Sequence, residues 1–306
     1  MTSIPFYPIG TPGRPWGDAE LKHWRASQSQ QRSYLSDVVP CIEALAGRFE
    51  TLTYGQLDYA GEHYDLFALR NGTPDLSLPT ALVTGGVHGY ETSGVMGALQ
   101  FLETRADDYA GRVNLLVAPC ISPWAYERIN RWNYDAIDPN RSFHPDSKAS
   151  ECAALMKLVA AQPGSFLLHI DLHETTDSDE SEFRPALAAR DGEDFMPGTI
   201  PDGFYLVDDS ENPQPDFHHA IVAAVEQVTH IAPADEDGKI IGSPVVAPGV
   251  IQYPQAKYTM CSSVTGARFT TTTEVYPDSA RATSQICNEA QVTAVCSALD
   301  FALSQT

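Results

Sequence analysis

Short, nearly uninterrupted apolar runs alternate along the chain with stretches whose apolar residues recur at helical spacing, and this alternation predicts most of its elements. TALVTGGV (80–87), VNLLVAPC (113–120) and SFLLHIDL (165–172) read as strands buried on both faces, and ARFTTTTEV (267–275) as a further strand. Residues 91–106, 149–161, a segment near 216–230 and 279–304 read as helices. TLTYGQLDY and HYDLFALR are strands separated by a glycine-containing turn. Residues 18–48 are polar, with Leu21, Trp24, Tyr34, Leu35, Val38, Val39, Ile42 and Leu45 at helical spacing, which predicts a peripheral helix interrupted near Pro40. The stretch 174–215, rich in Asp, Glu, Pro and Gly, reads as a long irregular excursion of the kind that serves as a lid or wall.

Strands alternating with helices predict an α/β protein with a mixed, mostly parallel twisted sheet and helices on both faces. No repeat or linker forces a second core, so residues 1–50 are expected to form a helical extension packed on one main domain, 51–306.

Composition narrows the partners. Of 306 residues, 40 are Asp or Glu against 19 Lys or Arg, for a net charge of −21, which repels nucleic acid and anionic membranes. No apolar run spans a bilayer and no targeting segment opens the chain, so the expected location is the cytoplasm. The six scattered cysteines include no C-x-x-C pair and read as buried free thiols. The basic residues are skewed to 14 Arg over 5 Lys, and three of those arginines, Arg128, Arg131 and Arg141, fall within one short stretch.

In open α/β sheets, ligands bind beyond the carboxyl ends of the strands. The strand at 80–87 ends in His88-Gly89-Tyr90-Glu91, the strand at 165–172 in His173-Glu174, and the strand at 267–275 contains Glu274. An imidazole and a carboxylate three apart at a strand-to-helix turn can converge on one cation, and a third ligand from another strand leaves one position for water. Among nine histidines only His88 has an acidic residue three positions on. Either His169 or His173 could be the third ligand; His173 lies at the strand end where the crevice opens, whereas His169 reads as a core histidine. Asp171 and Glu174 are candidates to hydrogen-bond a ligand. Between the second strand and the next helix, residues 121–143 hold the three arginines beside Asn130, Asn133 and Asn140, suited to carboxylate recognition and oxyanion stabilisation.

These residues together resemble the zinc metallocarboxypeptidase family (peptidase family M14, carboxypeptidase A-like), which includes the succinylglutamate desuccinylase and aspartoacylase deacylases. His88-x-x-Glu91 is similar to that family's first zinc motif, and Ser122-Pro123…Tyr126 to its Asn-Pro-x-Gly-Tyr segment. Arg131-Trp132-Asn133…Asp138-Pro139-Asn140-Arg141-Ser142-Phe143 resembles its arginine block, Asp171-Leu172-His173 its third-ligand strand, and Glu274 its catalytic glutamate. The likeness runs in order from about Tyr64 to the C-terminal helix. It implies a zinc carboxypeptidase-like, phosphorylase/hydrolase-like fold and one zinc per chain on His88, Glu91 and His173. Asp138 would orient His88, Arg131 would polarise the scissile carbonyl, Asn140 and Arg141 would hold a substrate carboxylate, and Glu274 would act as general base and then acid.

The chain departs from the pattern at Ser122 and Pro139, 85 positions separate His88 from His173, and the family's capping tyrosine has only Tyr253 and Tyr258 as candidates. The expected function is a carboxypeptidase acting on a small peptide with a free carboxylate. The alternative within the family is a deacylase of a small N-acyl amino acid; since 32 residues follow Glu274, with no β-rich domain, the first reading is favoured. A reading of another class is a non-catalytic zinc-binding interaction protein. Oligomeric state is not legible.

Overall fold

The computed structural model of the protein describes residues 7–306; residues 1–6 of the expected extension lie outside the described residues. Three short helices, α1 (Asp18–Ser27), α2 (Tyr34–Asp37) and α3 (Val39–Leu45), stand where one interrupted helix was expected. Pro40 lies in the first turn of α3, where its missing N–H breaks no intrahelical bond. Two long strands follow, β1 (Glu50–Tyr59) and β2 (Glu62–Arg70), paired as an antiparallel hairpin.

The alternating part then runs β3 (Thr80–Gly85), α4 (Thr92–Thr104), β4 (Asn114–Ala118), α5 (Pro123–Arg128), α6 (Ser150–Ala160) and β5 (Phe166–Glu174). After β5 the chain makes a π-type turn at Asp179–Phe183 and enters α7 (Arg184–Asp191). It continues through β6 (Tyr205–Asp209), α8 (Pro215–Val225), β7 (Lys239–Ile240), β8 (Ser243–Ala247), β9 (Val250–Tyr253) and β10 (Phe269–Val275), and closes with α9 (Ser284–Ser304). The excursion expected over 174–215 therefore holds a helix and a sheet strand.

All ten strands form one sheet in the order β1-β2-β4-β3-β5-β10-β6-β9-β8-β7. Its centre, β4-β3-β5-β10, is parallel. The mixed sheet with helices on both faces is as expected, but the parallel part is confined to this centre and the β6–β9 pair. The remaining neighbours pair antiparallel, since hairpins such as β1–β2 and β8–β9 can join only antiparallel strands.

Both faces of the centre are buried, which accounts for its unbroken apolar runs. Ala81 and Val83 of β3 and Leu115 and Val117 of β4 pack with α4, α8 and α9, whereas Leu82 and Leu116 pack with Cys152, Leu155 and Val159 of α6. No helix among the described residues is long and apolar enough to cross a membrane.

Close backbone contact holds α4 on the sheet. A Cβ at Gly94 would lie 2.4 Å from the carbonyl oxygen of Leu172, and one at Gly85 would lie 2.3 Å from the carbonyl oxygen of Gly94. Only hydrogen fits there, so the helix that begins at Glu91 is pressed against the strand that carries His173. Gly94→Ala is expected to destabilise the protein by about 1–3 kcal/mol in urea unfolding. Gly47→Ala, at a site with nothing within 4 Å, should stay within about 0.5 kcal/mol of the native chain. Equal stabilities for the two variants would contradict the packing argument.

Candidate metal centre

The turn after β3, the end of β5 and the end of β10 lie at one edge of the sheet and bring His88, Glu91, His173 and Glu274 together. Glu274 is the direct parallel neighbour of His173. His88, Glu91 and His173 are all buried, and one donor atom from each lies within 4.8 Å of the others; among the described residues no other such group of three occurs.

The two imidazoles are held alike. His88 Nε2 donates to Asp138 Oδ1 at 2.9 Å, and His173 Nε2 donates to Asp171 Oδ2 at 2.6 Å. With Nε2 as donor, Nδ1 offers a lone pair. His88 Nδ1 faces Glu91 Oε1 at 2.7 Å, and His173 Nδ1 lies 2.7 Å from Glu91 Oε2 without the alignment of a hydrogen bond, leaving that buried oxygen unpartnered. Two ring nitrogens and a carboxylate converging from three buried side chains fit a metal cation. Burial alone would raise the Glu91 carboxyl, but positive charge beside it outweighs burial: with His173 and His88 protonated the group is held at about 2, and a cation among the three donors acts in the same direction. Glu91 is thus anionic and ready as a ligand.

Supporting contacts reach further in. Thr84 donates to Asp171 Oδ1 at 2.6 Å and so accepts from His169 Nε2 at 3.0 Å. Burial pushes His169 down to about 4, and it is a neutral core histidine, as its mid-strand position suggests. Glu174, next to His173, accepts from the backbone N–H groups of Thr92 and Ser93 at 3.1 and 2.7 Å. It thereby satisfies the first turn of α4, directly after Glu91. Ser122, where the family pattern has Asn, donates to the carbonyl of Val87 at 2.7 Å and steadies the approach to His88.

The centre opens into a cleft of about 980 Å³ whose lining includes Glu274, Arg131, Asn140, Arg141, Tyr205 and Tyr253. Glu274 Oε2 accepts from Thr175 Oγ1 at 2.9 Å, and that hydroxyl accepts in turn from Tyr205 at 2.7 Å. Burial, with the carboxylates of Glu91 and Asp179 adding to it and His173 opposing, pushes the Glu274 carboxyl up to about 8.

The three clustered arginines diverge. Arg128 lies in a separate cleft, stacked on Trp124 and paired with Glu62. Arg131 reaches the main cleft, between Asp138 Oδ2 at 3.1 Å and Asp179 Oδ1 at 3.2 Å. Arg141 is exposed in the cleft with no carboxylate partner among the described residues, its Nη1 donating to the carbonyl of Asn140. Asn140 is buried, with Oδ1 accepting from Cys261 N and Nδ2 lying 3.4 Å from His173 Nε2. Asn130 and Asn133 fold the loop itself, their side-chain oxygens accepting from Trp132 N, and from Asp135 N and Ile137 N. Tyr253 lines the cleft, its hydroxyl 3.3 Å from Ser243, whereas the ring of Tyr258 lies 5.9 Å from the Arg141 guanidinium.

Sequence reasoning missed Thr175, Tyr205, Tyr90 and Asp179. Residues 173–179 touch each working part of the site, but no spacing rule marks an acid-rich turn as doing so.

Residues 77–192 match the succinylglutamate desuccinylase/aspartoacylase catalytic domain. No curated protein sequence matches the chain. A candidate metallopeptidase of Shewanella denitrificans superposes with a TM-score of 0.66 at 19% identity, over 87% of this chain and 90% of that one. A metallo-carboxypeptidase of Burkholderia cenocepacia gives 0.56 at 14%, over 94% and 70%. A Pseudomonas aeruginosa metallo-carboxypeptidase in complex with (2-guanidinoethylmercapto)succinic acid gives 0.58 at 14%, over 87% and 68%. The fold is that of these metallocarboxypeptidases.

The geometry predicts that His173→Ala or His88→Ala abolishes stoichiometric metal binding, whereas His169→Gln retains it. Elemental analysis of each variant after dialysis against zinc checks this, and full metal content in His173→Ala would misplace the site.

Proposed function

We propose, starting from a chain whose residues 77–192 match a deacylase catalytic domain and whose fold is that of metallocarboxypeptidases, that this metallocarboxypeptidase-like hydrolase is a zinc-dependent carboxypeptidase. Its substrate would be a small peptide with a free terminal carboxylate. One zinc per chain would be held by His88 Nδ1, His173 Nδ1 and Glu91, a donor set of two imidazoles and a carboxylate that suits zinc and leaves a position open. When bound there, zinc lowers the pKa of water and polarises a carbonyl.

This chain's residues supply the rest. Glu274, with Oε2 fixed by Thr175, takes a proton from the attacking water and returns it to the leaving amine. Arg131 offsets the negative charge that develops on the carbonyl oxygen. Asn140 and Arg141 receive the terminal carboxylate, and one observation carries this reading: an arginine with no carboxylate partner among the described residues shares a cleft with His88 and Glu274.

The division into a 1–50 extension and a 51–306 catalytic domain fits the same reading, because Pro15, Trp16 and Leu21 supply part of the cleft wall. Six free cysteines, five of them buried, support a reducing compartment such as the cytoplasm.

A second reading, hydrolysis of a small N-acyl amino acid, is favoured by the match of residues 77–192 to the deacylase catalytic domain. Both use the same machinery and differ in the acyl group. A hydrolysis screen of the zinc-loaded protein separates them: release of C-terminal residues from peptides is expected, and turnover confined to N-acyl amino acids would transfer the assignment to the deacylases.

Glu274→Gln should lower kcat by about 100- to 10,000-fold with zinc content unchanged, and unaltered turnover would remove Glu274 from the chemistry. Arg141→Ala should act mainly on KM, raising it by about 10-fold or more. Unchanged KM would mean that the carboxylate is held elsewhere.

A further inference from the structure

Arg131 is gripped from two sides. Its Nε donates to Asp138 Oδ2 at 3.1 Å, while Nη1 donates to Asp179 Oδ1 and to the Tyr90 hydroxyl oxygen, both at 3.2 Å. Nη2 has no hydrogen-bond partner among the described residues.

Asp179 is itself fixed. It accepts the Tyr90 hydroxyl at 2.9 and 3.0 Å and the backbone N–H of Thr176 at 2.8 Å, and it is 7% exposed. It opens the π-type turn Asp179–Phe183, a rare geometry that tends to occur at working sites. Phe183 of that turn packs on the Tyr90 ring, with centroids 4.7 Å apart. Tyr90 lies between His88 and Glu91, and its backbone N–H donates to the carbonyl of Asn130, the residue before Arg131. Asp179 therefore joins the turn beyond β5, the metal-binding turn after β3 and the arginine loop after α5.

A lone carboxylate beside an arginine that binds an oxyanion lowers its net positive charge, which by itself opposes catalysis. The compensating gain is orientation. A guanidinium on a flexible stem stabilises charge only if it is already aimed when the charge forms. We propose that Asp179 is a positioning residue for Arg131: together with Asp138 it fixes the guanidinium plane and leaves Nη2 as the edge presented to the substrate carbonyl oxygen. The kinetic part of this inference rests on the hydrolase reading above; the restraint on Arg131 does not.

The experiment compares the native chain, Asp179→Ala and Asp179→Asn, the last keeping an acceptor for Arg131. Side-chain nitrogen NMR of the metal-free proteins should show separate, slowly exchanging Nη signals for Arg131 in the native chain and merged signals in Asp179→Ala. In the zinc-loaded proteins, Asp179→Ala should lower kcat by about 10- to 100-fold with KM within about 3-fold. Metal content should be unchanged, the loss of rate should exceed what any fall in Tm accounts for, and Asp179→Asn should restore most of the rate. Merged Nη signals in the native chain, or native kcat in Asp179→Ala, would overturn the proposal. So would a loss confined to KM, or one that follows metal content or Tm and is not relieved by Asn, since Asp179 would then bind substrate or support the fold. If the native protein hydrolyses no amide, the proposed function fails, and the NMR comparison alone decides whether Asp179 restrains Arg131.

Discussion

Three carboxylates and two imidazoles are packed together at the carboxyl edge of the sheet, all buried except Asp138, which lines the cleft, and the negative charge gathered there must be balanced. Asp138 and Asp171 each accept a hydrogen bond from an Nε2–H, and Glu91 stands between the two Nδ1 atoms. Buried carboxylates without compensating charge are costly, so the arrangement is stable only with added protons on the imidazoles or a cation among the three donors. Much of the surrounding structure follows from holding that arrangement in register.

The register is kept by interlocking the strands and helix that carry the ligands. Gly94 lets α4 approach the backbone of β5, and Glu174 then satisfies the opening N–H groups of that helix. From the far side, Gln291 of α9 donates to the carbonyl of His173 at 2.9 Å and accepts from Thr273, the neighbour of Glu274. The sheet centre is thus an interlocked plate whose edge presents the proposed ligands, His88, Glu91 and His173, beside Glu274. The flanking loops, carrying Arg131, Arg141 and Asp179, adjust what the plate can accept. Division of labour between a rigid sheet and loops at its carboxyl edge is the general logic of such folds.

How far the site could be read in advance depended on the type of signal. His88 and Glu91 declared themselves through spacing at a strand end, and His173 through its place at the end of another. Asp171 was legible in principle, since alternate residues on a strand share a face, and it was named only as a candidate hydrogen-bond partner. The role of Asp138 came from family likeness alone. Arg128 was grouped with Arg131 and Arg141 by proximity along the chain, yet the end of α5 turns it into a different cleft. Asp179 carried no signal, being one acid among Asp177, Glu180 and Glu182, selected only by how the turn folds back. The strands β6 to β9 beyond β10 escaped because they are short, and the sheet centre was legible because burial on both faces writes unbroken apolar runs.

In the proposed centre one metal ion sits between His88, Glu91 and His173, in the cleft shared with Glu274 and Arg141. Anomalous diffraction at the zinc edge, from crystals of the zinc-loaded protein, tests it most directly. A single strong peak is expected, coordinated by the Nδ1 atoms of His88 and His173 and by Glu91, with a remaining position open toward Glu274. A peak at another cluster, or none at these three residues at full zinc loading, would contradict it.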